Sequence, residues 1–495
     1  MCRAHAPGAD RWAVEGSGRR VSALRRWLGF APPSDTSEDA VVRRRVVTLA
    51  WPVVIEGLLQ TAIGVVDTFF VAKVSEEALA GVGTALQLVF IMIVVMSAVS
   101  IGASVLVAQA VGAGENDRAR GLAKQSLTLG ALVTIPMSVL GVAFARPAID
   151  LFGVEPAVAE IGASYWRITS LLAFGMTGMY VASAVLRGAG NTKISMQSAI
   201  LANIINAVAA WLLIFGNLGF PELGADGSAW AAASGRIAAF GVMLVVLFRP
   251  ATIISVRGWF GWRPRLATVR RVLRIGAPAA TEELAFSLSL AVLTVLVAML
   301  GTQALAAQRI AFNALSLAFL PGFGVALAAS ALVGQSVGAR DPRFGRLATN
   351  AAGQYATVWM SLIGVIYFLA ATPIMRAFSD DPAVIATGAA ALRALAVSQP
   401  IWAITMVWAG ALRGTGNATF PLVVNAIWSW SVIPICWVMI TLLDYGLGGV
   451  WLVYAITGIA PVIVFRARIN RDRHLGAAAA DLATRSPAAN PGPAD

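Results

Sequence analysis

The sequence is poor in the residues that most enzymes rely on. Its 495 residues include two histidines, His5 and His474, and two cysteines, Cys2 and Cys436. Three of these four lie in the terminal segments, and the apolar body keeps Cys436 alone. That excludes a His-based metal site, a His proton relay and a disulfide framework within the body. Asp, Glu, Lys and Arg together make up 13% of the chain, against about 25% in an ordinary soluble domain. With no metal cluster, nucleophile–base constellation or cofactor loop to read, an enzyme is not the expectation. A channel stays open as a class, with flux coupling as its arbiter.

What fills the space is apolar: 58% of residues are hydrophobic and the mean hydropathy is +0.76. No soluble core hides that much apolar surface, whereas a bilayer does. A spanning helix takes about 20 mostly apolar residues. Such stretches fall near 46–72, 84–111, 123–145, 163–186, 194–215, 229–248, 273–300, 310–337, 349–371, 387–412, 419–443 and 447–465. The expected fold is therefore an all-α membrane protein of twelve transmembrane helices.

The net charge of +12 is not a nucleic-acid footprint, because the basic residues are strung along short loops. Alternate loops carry Arg118, Arg120 and Lys124; Arg187 and Lys193; a run from Arg249 to Arg274; Arg340, Arg343 and Arg346; and Arg413. The intervening loops carry acids: Glu76 and Glu77, Asp150 and Glu155, Glu222 and Asp226, Asp380 and Asp381, Asp444. By the positive-inside rule both termini are cytoplasmic in a multi-pass protein of the inner (plasma) membrane. Residues 1–42 read as a disordered cytoplasmic leader in which Arg25, Arg26, Trp27, Leu28 and Phe30 form at most a short surface-lying piece; residues 468–495 read as a disordered tail.

The body is internally repeated. A shift of 226 residues carries Pro52 and Glu56 onto Pro278 and Glu282, and the run ASVLVAQAVGA (Ala103–Ala113) onto ASALVGQSVGA (Ala329–Ala339). It also carries Pro147, Phe152, Pro156, Arg167 and Leu186-Arg187-Gly188 onto Pro373, Phe378, Pro382, Arg393 and Leu412-Arg413-Gly414. Each half holds an even number of spans, so the halves are parallel repeats around a central cleft, the arrangement in which one half rocks against the other. The expected division is an N-terminal six-helix lobe at 43–248, a cytoplasmic linker at 249–272 and a C-terminal six-helix lobe at 273–467.

The stretch AWPVVIEGLLQTAIGVVDTFFVAKVSEEALAGVG, the paired LRGAGN and LRGTGN motifs and the duplicated six-helix plan resemble the multidrug and toxic compound extrusion (MATE) family, over about 43 to 468. The resemblance implies a secondary active multidrug efflux transporter that antiports organic cations or amphipathic small molecules against protons or sodium. A lipid-linked saccharide or lipid flippase of the same superfamily is the alternative. Small-molecule substrates and membrane lipids are then the expected partners of a monomeric chain, with an ion gradient in place of a cofactor. The LRGxGN motifs themselves read as helix ends, with Gly stopping the helix and Arg facing the helix dipole and the anionic leaflet.

Ionisable residues inside spans are rare and functional by default. Here they are Glu56, Asp67, Arg236, Glu282 and Glu283. Asp67 lies eleven residues after Glu56, within about 20° of the same helix face, with Gln60 close to it. Asp67 is either a carboxylate fixed in an interior network or a coupling site; with no intramembrane His, a buried carboxylate is the natural proton carrier, and coupling is the preferred reading. By resemblance, Asp67 matches the first-helix coupling aspartate of the DinF-like branch, and Asn206 matches its fifth-span asparagine. Two departures weaken sodium: Ala210 stands where that branch has an aspartate, and Ala232 where a threonine is common. The NorM-like C-terminal site is missing its acids, since those positions read Phe286 and Trp402. Glu56 and Glu282 share a repeat position beside a proline, which suits a shared structural task as well as a substrate or proton role. Glu283 is a second acid or a residue of the interhelical seam. Arg236 requires a partner, with Asp67, Glu56 or an asparagine as candidates.

Overall fold

The computed structural model describes residues 37–250, 252–443 and 445–470. The surface-lying piece at Arg25–Phe30, most of the leader and tail, Cys2, both histidines and Asp444 lie outside the described residues. Sixteen α-helices follow one another: α1 (Ser37–Val71), α2 (Glu76–Gly112), α3 (Asn116–Ala143), α4 (Ala145–Asp150), α5 (Pro156–Leu171), α6 (Ala173–Gly188), α7 (Thr192–Phe215) and α8 (Ala225–Phe248), then α9 (Leu266–Ala298), α10 (Thr302–Gly338), α11 (Pro342–Leu369), α12 (Ala371–Arg376), α13 (Pro382–Gly414), α14 (Thr419–Thr441), α15 (Leu447–Thr457) and α16 (Ile459–Asn470). No strand occurs among the described residues.

Among the described residues ten of these helices, and α15 with α16 as one run (Leu447–Ile469), are long and apolar enough to cross a bilayer, and the bent pair α5–α6 makes a twelfth if it is one span. The pair turns by 52° at Leu172, so the fourth span, expected as one helix, is broken. Its repeat partner α13 runs unbroken through Pro400. α1 likewise continues through Pro52. It begins at Ser37, inside the stretch assigned to the leader, and its Val42 is buried.

The two repeats, α1–α8 and α9–α16, pack together at the end that carries the basic loops, and their apolar clusters cross between them: Val42, Val46, Leu49 and Ala50 of α1 join the second half's core, and Val272, Ile275 and Ala279 of α9 join the first half's. Small residues make the approach possible. A Cβ on Gly276 of α9 would stand 1.6 Å from the Ala98 carbonyl of α2, and one on Gly102 of α2 would stand 2.2 Å from the Val272 carbonyl of α9. Gly112 and Gly338 meet the carbonyls of Gln335 and Gln109 in the same way, each at 1.9 Å. Any larger residue at these four positions would force the lobes apart, as glycine-mediated helix packing in membranes requires.

The linker is structured between α8 and α9, and its last residues, expected as loop, are the first two turns of α9. It folds onto the N-terminal lobe, where Ile254 and Val256 are buried. Lys124 of α3 donates to the carbonyls of Arg257, Gly258 and Phe260 at 3.0, 3.0 and 2.9 Å. Read from sequence as a topological charge, Lys124 is instead a buried pin for the linker. Arg120 adds a bond to the Ile253 carbonyl at 3.2 Å, and the Arg265 amide donates to Gln125 Oε1 at 3.2 Å.

Candidate functional site

Three polar clusters interrupt the apolar interior. The first two are copies of each other. In the N-terminal lobe, Ser183 Oγ of α6 donates to Glu56 Oε1 of α1 at 2.5 Å, and Arg187 Nη1 lies 3.6 Å from Glu56 Oε2. In the C-terminal lobe, Arg413 Nη2 of α13 donates to Glu282 Oε1 of α9 at 2.8 Å, and Asn425 Nδ2 of α14 donates to the same oxygen at 2.6 Å. All four charged side chains are 14% exposed or less. The arginines of the LRGxGN motifs therefore turn inward to the buried glutamates rather than outward to the leaflet. The first glycine of each motif packs on its own lobe, where a Cβ at Gly188 or Gly414 would stand 2.5 or 2.4 Å from the carbonyls of Ser104 and Ser330. The second glycine, Gly190 or Gly416, ends the helix in the left-handed region (φ 84° and 91°).

The third cluster has no copy. Asp67 of α1 is 5% exposed, and Asn206 Nδ2 of α7 donates to its Oδ1 at 3.1 Å. Ser228 of α8 sits beside the carboxylate and beside the Tyr165 phenol. Asn206 Oδ1 is fully buried and accepts no hydrogen bond among the described residues, and Ser228 Oγ is fully buried between the Asp67 carboxylate and the Tyr165 phenol. Arg236, also on α8, is close enough for its charge to act on Asp67 and Tyr165, but forms no ion pair with a carboxylate of the described residues. Of the partners expected for Arg236, which were Asp67, Glu56 or an asparagine, Glu56 is taken by Arg187, and Asp67 is a neighbour without an ion-pair contact. Gln60 shares the α1 face with Asp67, yet its Oε1 accepts from Tyr180 Oη of α6 at 3.1 Å. At the shifted positions the second lobe has Phe286, Leu293 and Met406 in place of Gln60, Asp67 and Tyr180. Leu293 is completely buried in an apolar core.

The lobe interface carries polar contacts of its own. Gln109 Nε2 of α2 donates to the Gly414 carbonyl at 3.1 Å, and Gln335 Nε2 of α10 donates to the Gly188 carbonyl at 3.0 Å. Arg45 Nη2 of α1 reaches Gln335 Oε1 at 3.4 Å. Nearer mid-span, Ser97 Oγ of α2 donates to Glu283 Oε2 of α9 at 3.2 Å, so Glu283 belongs to the seam between lobes.

Sequence reasoning missed Gln109, Gln335, Ser183, Ser228, Tyr180 and Asn425. For the glutamines a signal existed: both stand in the repeated ASxLVxQxVGA run, where two polar side chains survive duplication inside an apolar segment. Among the described residues, no group of three or more His, Cys, Asp or Glu side chains is placed to hold a metal ion.

Comparison with known proteins agrees with this duplicated architecture. The MatE family model matches residues 52–212 and again 278–438, two matches offset by the same 226 residues. A probable multidrug resistance protein NorM of Thermotoga maritima is 30% identical over 452 residues, which is 91% of this chain and 94% of that protein. The multidrug resistance protein PmpM of Pseudomonas aeruginosa is 27% identical over 438 residues, 86% and 90% of the two chains. Among solved structures, a MOP superfamily transporter from Pyrococcus furiosus superposes with a TM-score of 0.81 at 20% identity, covering 89% of this chain and 99% of its own.

Proposed function

The chain belongs to the MatE family, and from that premise we propose that it is a secondary active multidrug efflux transporter. It exchanges organic cations or amphipathic small molecules for protons by rocking its two lobes about the central cleft. The relatives named as multidrug resistance proteins support export of small molecules over a flippase. The division into lobes 43–248 and 273–467 around the linker, a cytoplasmic position for the basic-loop end and both termini, and residence in the plasma membrane as a monomer are parts of the same proposal.

The observation that carries the coupling assignment is the one-sided third cluster. Asp67 is a buried carboxylate without a cationic partner in contact, with the neutral side chains of Asn206 and Ser228 beside it. A carboxylate so placed is costly when charged and easily neutralised by a proton. The paired glutamates differ, because Arg187 and Arg413 already compensate them, and they read as lobe-internal structural pairs. We assign the DinF-like branch on Asp67 and Asn206 together with Phe286 and Trp402 at the second-lobe positions, although the relatives bear the NorM name.

One observation favours sodium as a second reading. Asn206 Oδ1 is buried without a donor and Ser228 Oγ is buried beside the carboxylate, so hard oxygens are at hand near Asp67 where Ala210 and Ala232 had seemed to leave too few. Dye or drug efflux from vesicles under separate proton and sodium gradients, wild type against D67N, tests the assignment. Proton-driven flux that is lost in D67N supports it; normal proton-driven flux in D67N refutes it. Flux driven by sodium alone replaces the proton reading with the sodium one.

A further inference from the structure

The first two turns of α9 leave one face open at the basic-loop end. Leu266, Val269 and Leu273 line a shallow, open groove, and Arg270 and Arg274 stand along it, all five on one i, i+3, i+4, i+7, i+8 face. Arg271 borders the same groove. Leu266 is 83% exposed, and Arg270, Arg271 and Arg274 are exposed and form no ion pair among the described residues. Between Asp226 and Glu282 the chain has no acidic residue at all, and it has eight arginines. Just upstream, Trp259 and Phe260 are 95% and 94% exposed on the linker that Lys124 pins in place.

We propose that this groove is a binding site for one anionic phospholipid of the leaflet facing the basic loops. An acyl chain lies along Leu266, Val269 and Leu273, and the phosphate sits between Arg270 and Arg274. The occupant follows from the chemistry of the face. Apolar side chains and guanidinium groups alternate along one helix surface, and arginine pairs with phosphate bidentately. Exposed Trp and Phe on a fixed loop belong at headgroup depth, and a stretch free of acids attracts the anionic leaflet. Other occupants suit it less. Residues 1–36 carry six arginines against three acids, and a second copy of the chain would bring the same arginines, so both would meet the face with like charge. α9 also bears Val272 and Gly276, which touch α2 across the lobe interface, so a bound lipid steadies the helix that closes the basic-loop end.

The test uses the purified full-length chain and native mass spectrometry with phosphatidylglycerol and phosphatidylcholine of identical acyl chains. The wild type retains phosphatidylglycerol roughly tenfold or more over phosphatidylcholine, the preference expected of two arginines at an anionic headgroup. R270Q/R274Q lowers that ratio to about one at unchanged melting temperature, and L273W, which fills the groove, lowers retention of both lipids. Soluble glycerophosphoglycerol does not displace the bound lipid, and removal of residues 1–36 leaves retention unchanged. Equal retention of the two lipids by the wild type, or an undiminished preference in R270Q/R274Q, overturns the proposal. Displacement by the soluble headgroup would mark a free-anion site, and a large rise in retention without residues 1–36 would mark the leader as the occupant; either also overturns it. None of these readouts depends on transport, so they stand apart from the efflux assignment.

Discussion

Gln109 of one lobe donates its side-chain amide to the carbonyl of Gly414 in the other. The bond recurs 226 residues later, where Gln335 donates to Gly188. The duplicated run and the duplicated LRGxGN motif thus clasp each other reciprocally, each lobe giving a donor and a carbonyl. At about 0.5–1.5 kcal/mol for each net hydrogen bond, the pair adds a bias of roughly five- to a hundredfold toward lobes closed at this end. In Q109A/Q335A, spin labels at Asn116 and Ala339, both exposed at the adjoining helix ends, should show a distance distribution shifted to longer values. An unchanged distribution would mean that the glycine contacts alone close the interface.

The two buried ion pairs are unequal, and their variants should be unequal too. Arg413 approaches Glu282 to 2.8 Å, whereas Arg187 stands 3.6 Å from Glu56, which also has Ser183. Removing one partner of a buried pair costs about 3–5 kcal/mol because the other charge is left uncompensated. R413A should therefore lower thermal stability by an amount of that order, and R187A by less. Replacing both members, as in E282Q/R413M, should recover much of the loss, as read in a thermal unfolding series.

Lys124 satisfies three linker carbonyls, one of which, that of Gly258, also accepts from Trp262 Nε1 at 2.9 Å. Charge-assisted bonds of this kind are worth about 1.5–3 kcal/mol each at most. K124M keeps the aliphatic stem and removes the donors, so it should leave the helices folded while the linker loosens. Limited trypsin digestion at Arg257 and Arg265 should then run about an order of magnitude faster than in the wild type. Equal rates would show that Ile254 and Val256 hold the linker without help.

Ser228 separates the two coupling ions. S228A removes a neutral oxygen beside Asp67 and leaves the carboxylate in place. Under a proton gradient its efflux should stay within about twofold of wild type, since proton binding needs the carboxylate alone. A selective loss of sodium-driven efflux would instead assign Ser228 Oγ to a cation shell.

Much of this architecture was legible in the sequence, because duplication and loop charge act over long stretches. Twelve apolar runs and a constant 226-residue shift define two lobes before any coordinate is known. The single-residue pairings were harder. Arg187 and Arg413 looked like helix-end charges, and only the lobe packing turns them toward Glu56 and Glu282; yet both partners recur at the same shift, and that coincidence already pointed to a pair. Arg236 was expected to partner Asp67, Glu56 or an asparagine, and which of these it reaches across α8 and α1 is a matter of distances that periodicity does not carry. Glu56, Gln60 and Asp67 form one stripe of α1 by helical spacing. Its three members nonetheless serve three different neighbours, Arg187 with Ser183, Tyr180, and Asn206, because they lie at different depths.

The central claim is that proton coupling belongs to Asp67 and so to the first lobe alone. It is tested most directly by substrate-induced proton release from the purified chain, followed with a pH indicator in weakly buffered detergent solution. Release is expected on addition of an organic cation to the wild type and to E282Q/R413M, and none in D67N. Release from D67N equal to that of the wild type would contradict it.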